Sequence, residues 1–261
     1  MITAGIDCGS KNTKIVILKD GIIIANSLIP TGFEQGRAVE DSLAKAVGQA
    51  GIDRNEFHRI AVTGAGAGAV AAADCKVNDV RAIAAGARYF FHAARTVLDV
   101  GAEETRVVAC DEKGHPLDFA VNDKCAAGSG AFIEAMARAL ETPLDQIGLL
   151  ALSSDKTIAM NAQCTIFAES EVVGLIHSNT DKRDISRAIH DALAARIASI
   201  VRRVGIAPEV VMVGGVANDP ALVDALTREL GVGKIFTPEH PEFGAAAGAA
   251  VVAAEEAINL D

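Results

Sequence analysis

Residues 2–18 read ITAGIDCGSKNTKIVIL, and a similar stretch, TVLDVGAEETRVVAC, occupies residues 96–110. In each stretch an apolar run leads to an aspartate, a glycine follows two positions later, and a second apolar run begins after a short polar segment. This pattern predicts a strand, a tight turn and a second strand. Because the unit occurs twice, we expect two similar lobes that face one cleft.

The composition of the 261-residue chain favours α/β packing. Half of the residues are apolar and mostly aliphatic, with no Trp and one Tyr, which suits helices packed on sheets. The net charge of −10 argues against binding to nucleic acid or to an anionic membrane, because such binding needs clustered Lys and Arg. The sequence shows neither a bilayer-spanning apolar run nor a signal peptide, so we expect a cytoplasmic protein.

Apolar spacing predicts the remaining strands and helices. Strands are expected at residues 22–28 and 59–63, with a weaker edge strand at 152–161. The predicted helices cover residues 37–50, 131–140, 167–177, 185–204 and 220–230. We expect the first lobe at residues 1–95 and the second at 96–243. A C-terminal helix at 244–261 is expected to pack back on the first lobe.

The first turn offers groups that bind phosphate and magnesium. Gly9 lets the backbone approach a phosphate, and Ser10, Lys11 and Thr13 supply hydroxyl and ammonium donors. Asp7 is a candidate ligand for Mg²⁺ through a water molecule. An Asp-x-Gly-Ser sequence is also common in ordinary hairpin turns. The recurrence of the unit is therefore what favours phosphate binding.

The second turn repeats the arrangement of the first. Asp99 ends a strand and Gly101 follows two positions later. Glu103 adds a carboxylate that can orient an attacking water molecule or a hydrated metal ion. Solvated hairpin carboxylates are the alternative interpretation. We expect this turn to face the same phosphates as the first.

A third candidate site follows the apolar run VVMV at residues 210–213. Gly214 and Gly215 end this run, and a helix is predicted to start just after Asn218. Glycines at the end of a strand can admit a flat adenine and its ribose. An ordinary strand-to-helix turn also uses paired glycines, so the site gains its meaning from the two turns that precede it.

These three sites, in this order, resemble the phosphate-1, phosphate-2 and adenosine motifs of the actin, heat-shock chaperone and sugar-kinase superfamily. The matching residues are 7–13, 99–104 and 211–218. The resemblance implies an α/β protein with a two-lobed actin-like (ribonuclease H-like) ATPase fold and duplicated mixed sheets. It also implies that the lobes close on ATP and Mg²⁺.

Two cysteine segments, NDKCAAGSG at 122–130 and NAQCTIFAESEV at 161–172, narrow this resemblance. They look like the activator family of 2-hydroxyacyl-CoA dehydratases and benzoyl-CoA reductases, the BadF/BadG/BcrA/BcrD type. Cys125 and Cys164 each precede a predicted helix, whose N-terminus stabilises a thiolate. The residues that follow Cys125 are candidate nucleotide contacts: Gly128, Ser129 and Gly130.

The family resemblance implies one 4Fe-4S cluster bridged between two subunits. Such a cluster normally takes four thiolates, and Cys125 and Cys164 of two chains would supply them. The implied partners are a second activator subunit, identical or paralogous, an acyl-CoA reductase or dehydratase that accepts the electron, and reduced ferredoxin or flavodoxin as donor. ATP would close the lobes, change the angle between the two cluster helices and release a low-potential electron.

The second turn departs from the Asp-Ile-Gly-Gly-Gln-Asp sequence of many dehydratase activators. Ala102 and Glu103 stand where those proteins have the second glycine and the glutamine. This variant indicates the ATPase subunits of benzoyl-CoA reductases as nearer relatives. Two other functions stay open, a small-molecule kinase of the same fold and a non-enzymatic actin-like or chaperone-type module that nucleotide switches.

Overall fold

Two five-stranded mixed sheets form the framework of the computed structural model, which describes residues 1–122, 128–160 and 164–259. The first sheet has the order β3-β2-β1-β4-β5, with β1 (Ile2–Cys8), β2 (Asn12–Lys19), β3 (Ile22–Pro30), β4 (Arg59–Thr63) and β5 (Cys75–Lys76). The second has the order β10-β9-β6-β7-β8, with β6 (Thr96–Val100), β7 (Thr105–Cys110), β8 (Pro116–Asn122), β9 (Val210–Val213) and β10 (Ile235–Phe236).

The two sheets share one plan around their central strands. β1 pairs antiparallel with β2 and parallel with β4, and β6 pairs antiparallel with β7 and parallel with β9. Each sheet therefore has a hairpin next to a parallel strand that returns from elsewhere in the chain. The predicted fold class, with duplicated mixed sheets, is confirmed.

Eight α-helices occur in the described residues and cover the sheets. They are α1 (Gln35–Ala50), α2 (Asp79–Phe90), α3 (Gly130–Ala139), α4 (Leu144–Leu152), α5 (Thr165–His177), α6 (Lys182–Val204), α7 (Pro220–Leu230) and α8 (Gly244–Ile258). Side-chain caps define several of their starts: Asn78, Asp181 and Asp219 accept backbone N–H groups at α2, α6 and α7.

Separate apolar clusters lie beneath the helices of the two sheets. α1 covers the hairpin β2–β3, where Leu43 joins Ile6 and Ile15 in one buried cluster. On the second sheet, Leu98 packs with Phe132 of α3 and Leu193 of α6. Buried apolar side chains thus pack helices onto both sheets.

α2 and α8 pack against each other between the sheets. α8 also lies on β1 and β4, and α2 contacts strands of the second sheet. The approach is very close: a Cβ added to Gly248 would lie 1.7 Å from the Ala82 carbonyl oxygen, and one added to Gly5 would lie 1.9 Å from that of Ala246. The lobe boundaries at residues 95 and 243 stay predictions.

The predicted edge strand at residues 152–161 is wrong. α4 continues to Leu152, residues 153–160 form no strand, and residue 161 lies outside the described part of the chain. Ser154 Oγ and Lys156 Nζ donate to Asp184 of α6 at 2.7 and 2.6 Å, and Arg187 donates to the Ser154 carbonyl at 2.6 Å. Side-chain bonds to α6 hold this segment away from the edge of a sheet.

Among the described residues, the structure has no helix that combines the length and the apolar character needed to cross a bilayer.

Candidate functional site

The first turn, between β1 and β2, carries a largely buried ion pair. Asp7 and Lys14 are partners across the hairpin, and Lys14 Nζ lies 2.9 Å from Asp7 Oδ2. The Gly9 amide donates to the Asn12 carbonyl at 3.2 Å and closes the turn. A Cβ on Gly9 would lie 2.9 Å from the same carbonyl oxygen, so this tight turn favours glycine.

The second turn, between β6 and β7, repeats these contacts. Asp99 and Arg106 are partners across the hairpin, and the Gly101 amide donates to the Glu104 carbonyl at 2.9 Å. Arg106 Nη1 lies 3.5 Å from Asp99 Oδ2, and Nη2 donates to Glu104 and, at 2.8 Å, to Asp79 of α2. Both turns therefore combine an aspartate, a glycine and a cation opposite the aspartate.

The end of β9 packs directly against the second turn. Gly214 has a φ of +89°, and a Cβ there would lie 2.4 Å from the Val100 carbonyl oxygen and 2.6 Å from Asp99 Oδ1. Asn218 Nδ2 donates to Glu242 Oε2 at 3.0 Å. The predicted adenosine motif thus adjoins the second of the predicted phosphate turns.

One cavity of about 840 Å³ lies between the two sheets. A cavity of this size accommodates a ligand as large as a nucleoside triphosphate. Most of the residues predicted to form the site lie in its wall: Asp7, Gly9, Ser10, Lys11, Asp99, Gly101, Glu103, Gly130, Gly214, Gly215 and Asn218.

Thr13, Gly128 and Ser129 were predicted to contact nucleotide, and they lie outside this wall. Thr13 is fully buried, and its hydroxyl lies 3.0 Å from that of Thr31. Ser129 is also fully buried, and the Gly128 carbonyl accepts a hydrogen bond from the Thr105 hydroxyl. Because these groups are buried or hydrogen-bonded within the protein, we expect them to support the turns and not to contact nucleotide directly.

Charged side chains of both signs meet at the floor of the cavity. Four are carboxylates and two are cations: Asp7, Asp79, Asp99, Glu104, Lys14 and Arg106. Burial raises the pKa of Asp99 to about 6, and the positive charge of Arg106 offsets only part of that rise. With carboxylates in excess, a polyanionic ligand is repelled here unless a cation accompanies it.

The N-terminus of α3 is hydrogen-bonded to the second turn. The Gly130 amide donates to the Gly101 carbonyl at 2.9 Å, and the Ala131 amide donates to the Ala102 carbonyl at 2.8 Å. These are N–H groups that a helix start leaves without partners of its own. The second turn therefore completes the hydrogen bonding of α3.

α3 also meets the other two parts of the site. One turn along this helix, Glu134 forms an ion pair with Lys11 of the first turn. A Cβ on Gly130 would lie 2.9 Å from Cγ2 of Val216, next to the glycine pair after β9. All three motifs therefore lie against the same helix.

Cys164 immediately precedes α5, and the other predicted cluster ligand, Cys125, lies outside the described residues. The Cys164 carbonyl accepts the Ala168 amide at 3.0 Å, while its half-buried thiol does not cap the helix. Two large apolar neighbours, Ile166 and Phe167, are 71% and 65% exposed. A thiol at a helix N-terminus suits a thiolate ligand.

The charged residues in the cavity wall that sequence reasoning missed include Lys14, Asp79 and Arg106. The two cations had a signal, because each stands seven positions after the turn aspartate and pairs with it across the hairpin. Asp79 had no such sequence signal, because it reaches the cavity from the start of a separate element, α2.

The duplicated hairpin sheets and the cavity between them define the actin-like fold, which sugar kinases also have. A ROK family glucokinase from Streptomyces griseus superposes with a TM-score of 0.57 at 16% identity, over 98% of this chain and 100% of that chain, and this likeness concerns the fold alone. The model of the BadF/BadG/BcrA/BcrD ATPase family matches residues 4–253, and the chain belongs to that family.

Two relatives indicate its position within the family. The solved structure of the activator of the 2-hydroxyisocaproyl-CoA dehydratase from Clostridium difficile, with bound ADPNP, has a TM-score of 0.93 and 36% identity, over 100% of this chain and 97% of that chain. A benzoyl-CoA reductase subunit from Thauera aromatica is 29% identical, over 96% of this chain and 92% of that protein. These identities correct the prediction, from Ala102 and Glu103, that reductase subunits are the nearer relatives.

Proposed function

We propose that this protein is an ATP-dependent electron activator. Hydrolysis of ATP would drive a low-potential electron from a 4Fe-4S cluster, bridged between two subunits, to a 2-hydroxyacyl-CoA dehydratase or a benzoyl-CoA reductase. Membership of the ATPase family and the names of the relatives, a dehydratase activator and a reductase subunit, support this function.

The observation that carries the proposal is the hydrogen bonding between α3 and the second turn. Gly130 and Ala131 donate to Gly101 and Ala102 at 2.9 and 2.8 Å, and Cys125 stands five residues before Gly130 in the sequence. Packed elements joined in this way move together, so a displaced turn also displaces the helix start. Nucleotide that shifts the second turn would therefore shift the start of α3, which Cys125 precedes by five residues in the sequence.

The cavity residues suit ATP accompanied by Mg²⁺. Asp7 and Asp99 lie in one cavity wall with carboxylates in excess over cations, which favours a divalent ion beside the phosphates. In the described part of the chain, no three Asp, Glu, His or Cys side chains form a ready metal site. Mg²⁺ typically takes one or two carboxylates and fills its other positions with water and phosphate oxygens. Glu103 would orient the attacking water molecule.

Cys164 provides the test of whether the described residues fit a cluster ligand. Its thiol lies at the start of a 13-residue helix, where the helix dipole lowers the cost of an anionic ligand. The apolar side chains of Ile166 and Phe167 are exposed beside it, as expected of a surface that another subunit covers. Once bound, the cluster would supply one-electron transfer at low potential.

The partners follow from this arrangement. Cys125 and Cys164 supply two thiolates per chain, so a second activator subunit, identical or paralogous, would complete the four. Reduced ferredoxin or flavodoxin would be the donor, in an anaerobic cytoplasm, and an acyl-CoA dehydratase or reductase would be the acceptor.

Anaerobic purification with iron and sulfide analysis tests the proposal. We expect about four iron and four sulfide per two chains in the wild type. Cys125→Ala and Cys164→Ala should lose both elements and still bind ATP. Cys75→Ala is the matched control, because Cys75 lies on β5 at the edge of the first sheet, and this variant should keep its iron. A wild type without iron, or a Cys164→Ala protein that retains the cluster, contradicts the proposal.

A further inference from the structure

The guanidinium of Arg106 lies at the floor of the cavity. Its side chain is only 16% exposed, and it shares the cavity wall with both turns. The corresponding cation of the first hairpin, Lys14, pairs with Asp7 at 2.9 Å. Arg106 instead faces three carboxylates, one from α2 and two from its own hairpin. Pairing between the two strands of the hairpin does not account for a cation that faces three carboxylates.

Arg106 retains donor capacity in this arrangement. Arginine carries five N–H donors. Nη2 donates to Asp79 at 2.8 Å and to Glu104, whereas Nη1 approaches Asp99 only at 3.5 Å, a long distance for a hydrogen bond. Within the described residues, Nε has no hydrogen-bond acceptor. A phosphate oxygen in the cavity can therefore bind the guanidinium without displacing all of its carboxylates.

Asp79 connects this guanidinium to the first sheet. Its Oδ1 accepts hydrogen bonds from the Thr63 hydroxyl at 2.7 Å and the Gly64 amide at 2.8 Å, at the end of β4. Its Oδ2 accepts from Arg106 at 2.8 Å. Gly64 in turn lies against Asp7, since a Cβ there would be 2.6 Å from Asp7 Oδ1. One carboxylate thus positions Arg106 relative to the first turn.

We propose that Arg106 is a catalytic residue that contacts the terminal phosphate of bound ATP, and that Asp79 is its positioning residue. The inference rests on the proposed hydrolysis of ATP in this cavity but not on the electron transfer. Arginines supplied from the same chain stabilise transition-state charge in other phosphoryl-transfer sites. A guanidinium suits a floor rich in carboxylates, because it stays charged at every relevant pH.

The chemical step assigns Arg106 an electrostatic role. The oxygen of a water molecule forms a bond to the γ-phosphorus, while the bond between that phosphorus and the β–γ bridging oxygen breaks. The electron pair of the broken bond leaves with ADP, and the proton released from the water passes through the Glu103 carboxylate to solvent. Arg106 gives up no proton. It balances the negative charge on the phosphoryl oxygens as the step proceeds.

Kinetics of ATP hydrolysis by the full chain test the role of Arg106. Arg106→Gln should lower kcat by about 100-fold or more and change the Kd for ATP by less than about 5-fold. Arg106→Lys keeps the positive charge but not the forked N–H donors of the guanidinium, and its kcat should still fall about 10-fold. In Arg106→Ala, guanidinium chloride at concentrations well below those that unfold proteins should restore part of the rate. The matched control is Arg202→Gln on α6, whose guanidinium pairs with Glu229 at the surface and which should hydrolyse ATP normally.

Asp79→Asn tests the positioning role. It should lower kcat less than Arg106→Gln does and leave the Kd for ATP unchanged, and Asp79→Glu should recover part of the loss. A wild type that binds ATP without hydrolysing it overturns the proposal, as does an Arg106→Gln protein with normal turnover. A loss of kcat matched by an equal loss of ATP affinity, without rescue by guanidinium, also overturns it. If the neutral variants do not fold, a wild-type rate in Arg106→Lys decides against it. Iron analysis of the same samples reports separately on the electron-transfer proposal.

Discussion

The hairpins β1–β2 and β6–β7 have the same plan and different surroundings. In both, a glycine amide closes the turn two residues after an aspartate, and a cation stands opposite that aspartate. Lys14 pairs with Asp7 at 2.9 Å, whereas Arg106 is shared among three carboxylates. A repeated local pattern thus builds two similar turns, and their neighbours decide the electrostatics of each.

The two turns also differ in the elements to which they are hydrogen-bonded. The first is joined to the end of its own sheet, because Thr31 donates through its hydroxyl to Gly9 at 2.8 Å and through its amide to Lys11 at 3.0 Å. The second is joined to α3 through the amides of Gly130 and Ala131. The backbone of the first turn is thus bonded to the end of β3, whereas that of the second is bonded to the start of α3.

Removing one carboxylate from each turn should have the largest effect. If both hairpins act on one magnesium–ATP, Asp7→Asn and Asp99→Asn should each lower kcat for hydrolysis by about 100-fold. Phosphate release at saturating ATP and Mg²⁺ measures this. Asp20→Asn makes the same exchange in the exposed β2–β3 turn and should leave the rate unchanged. A normal rate in either Asp7→Asn or Asp99→Asn breaks the equivalence of the two hairpins.

The strands of the two hairpins should differ in their tolerance of a larger side chain. Gly5, two residues before Asp7, lies against α8, whereas the corresponding residue of β6 is a buried valine, Val97. Gly5→Ala should lower the free energy of unfolding by about 3 kcal/mol, because the new methyl group meets backbone atoms. Urea unfolding measures the change. Gly48→Ala on α1 meets open space and should stay within about 1 kcal/mol of the wild type. Equal changes in the two variants contradict the close packing of α8.

The raised pKa of Asp99 predicts a pH dependence of stability. Burial raises this pKa from 3.8 to about 6, so between those values the folded protein binds more proton than the unfolded chain. The resulting stabilisation is present below pH 3.8 and is lost as the pH rises through about 6. The Asp99→Asn protein has no carboxylate to ionise here, so it should not lose this stability. Between pH 4 and 7 the difference in the free energy of unfolding should change by up to about 3 kcal/mol in favour of Asp99→Asn. Parallel curves for the two proteins, measured without nucleotide, contradict the burial of this carboxylate.

The smallest effect is expected at the ion pair between Lys11 and Glu134. The two side chains are 51% and 29% exposed, and exposed pairs contribute little to stability. Lys11→Met should change the free energy of unfolding by less than about 1 kcal/mol. A loss of about 2 kcal/mol or more would show that the ion pair, and not the backbone bonding to the second turn, holds α3. Thermal unfolding without nucleotide distinguishes these outcomes.

Much of the fold could be predicted because its signals are local. Both hairpins combine short apolar runs with turn residues, and α1, α6 and α7 follow a helical period that their buried faces confirm. The edge strand at residues 152–161 failed because side-chain bonds from Ser154 and Lys156 to Asp184 hold that segment on α6. Such bonds join residues about thirty positions apart, beyond the range of any local pattern.

The residues predicted in the two turns line one cavity, but the predicted set of side chains in its wall was incomplete. Successive residues of a strand point to opposite faces, so Thr13 and Lys14 cannot both face the cavity. The structure puts Lys14 at the cavity and Thr13 in the core. The period of two, combined with the pairing of Lys14 with Asp7 across the hairpin, assigns the two side chains correctly.

The sequence by itself determined the two aspartate–glycine turns and the glycine pair after β9, because each depends on residues adjacent in the chain. Only the tertiary structure decided which groups meet between them. Asp79 reaches Arg106 from α2, and α3 bonds to the second turn through backbone amides that carry no sequence signature. Contacts between separate elements depend on how the helices pack on the two sheets, and that packing is a property of the whole chain.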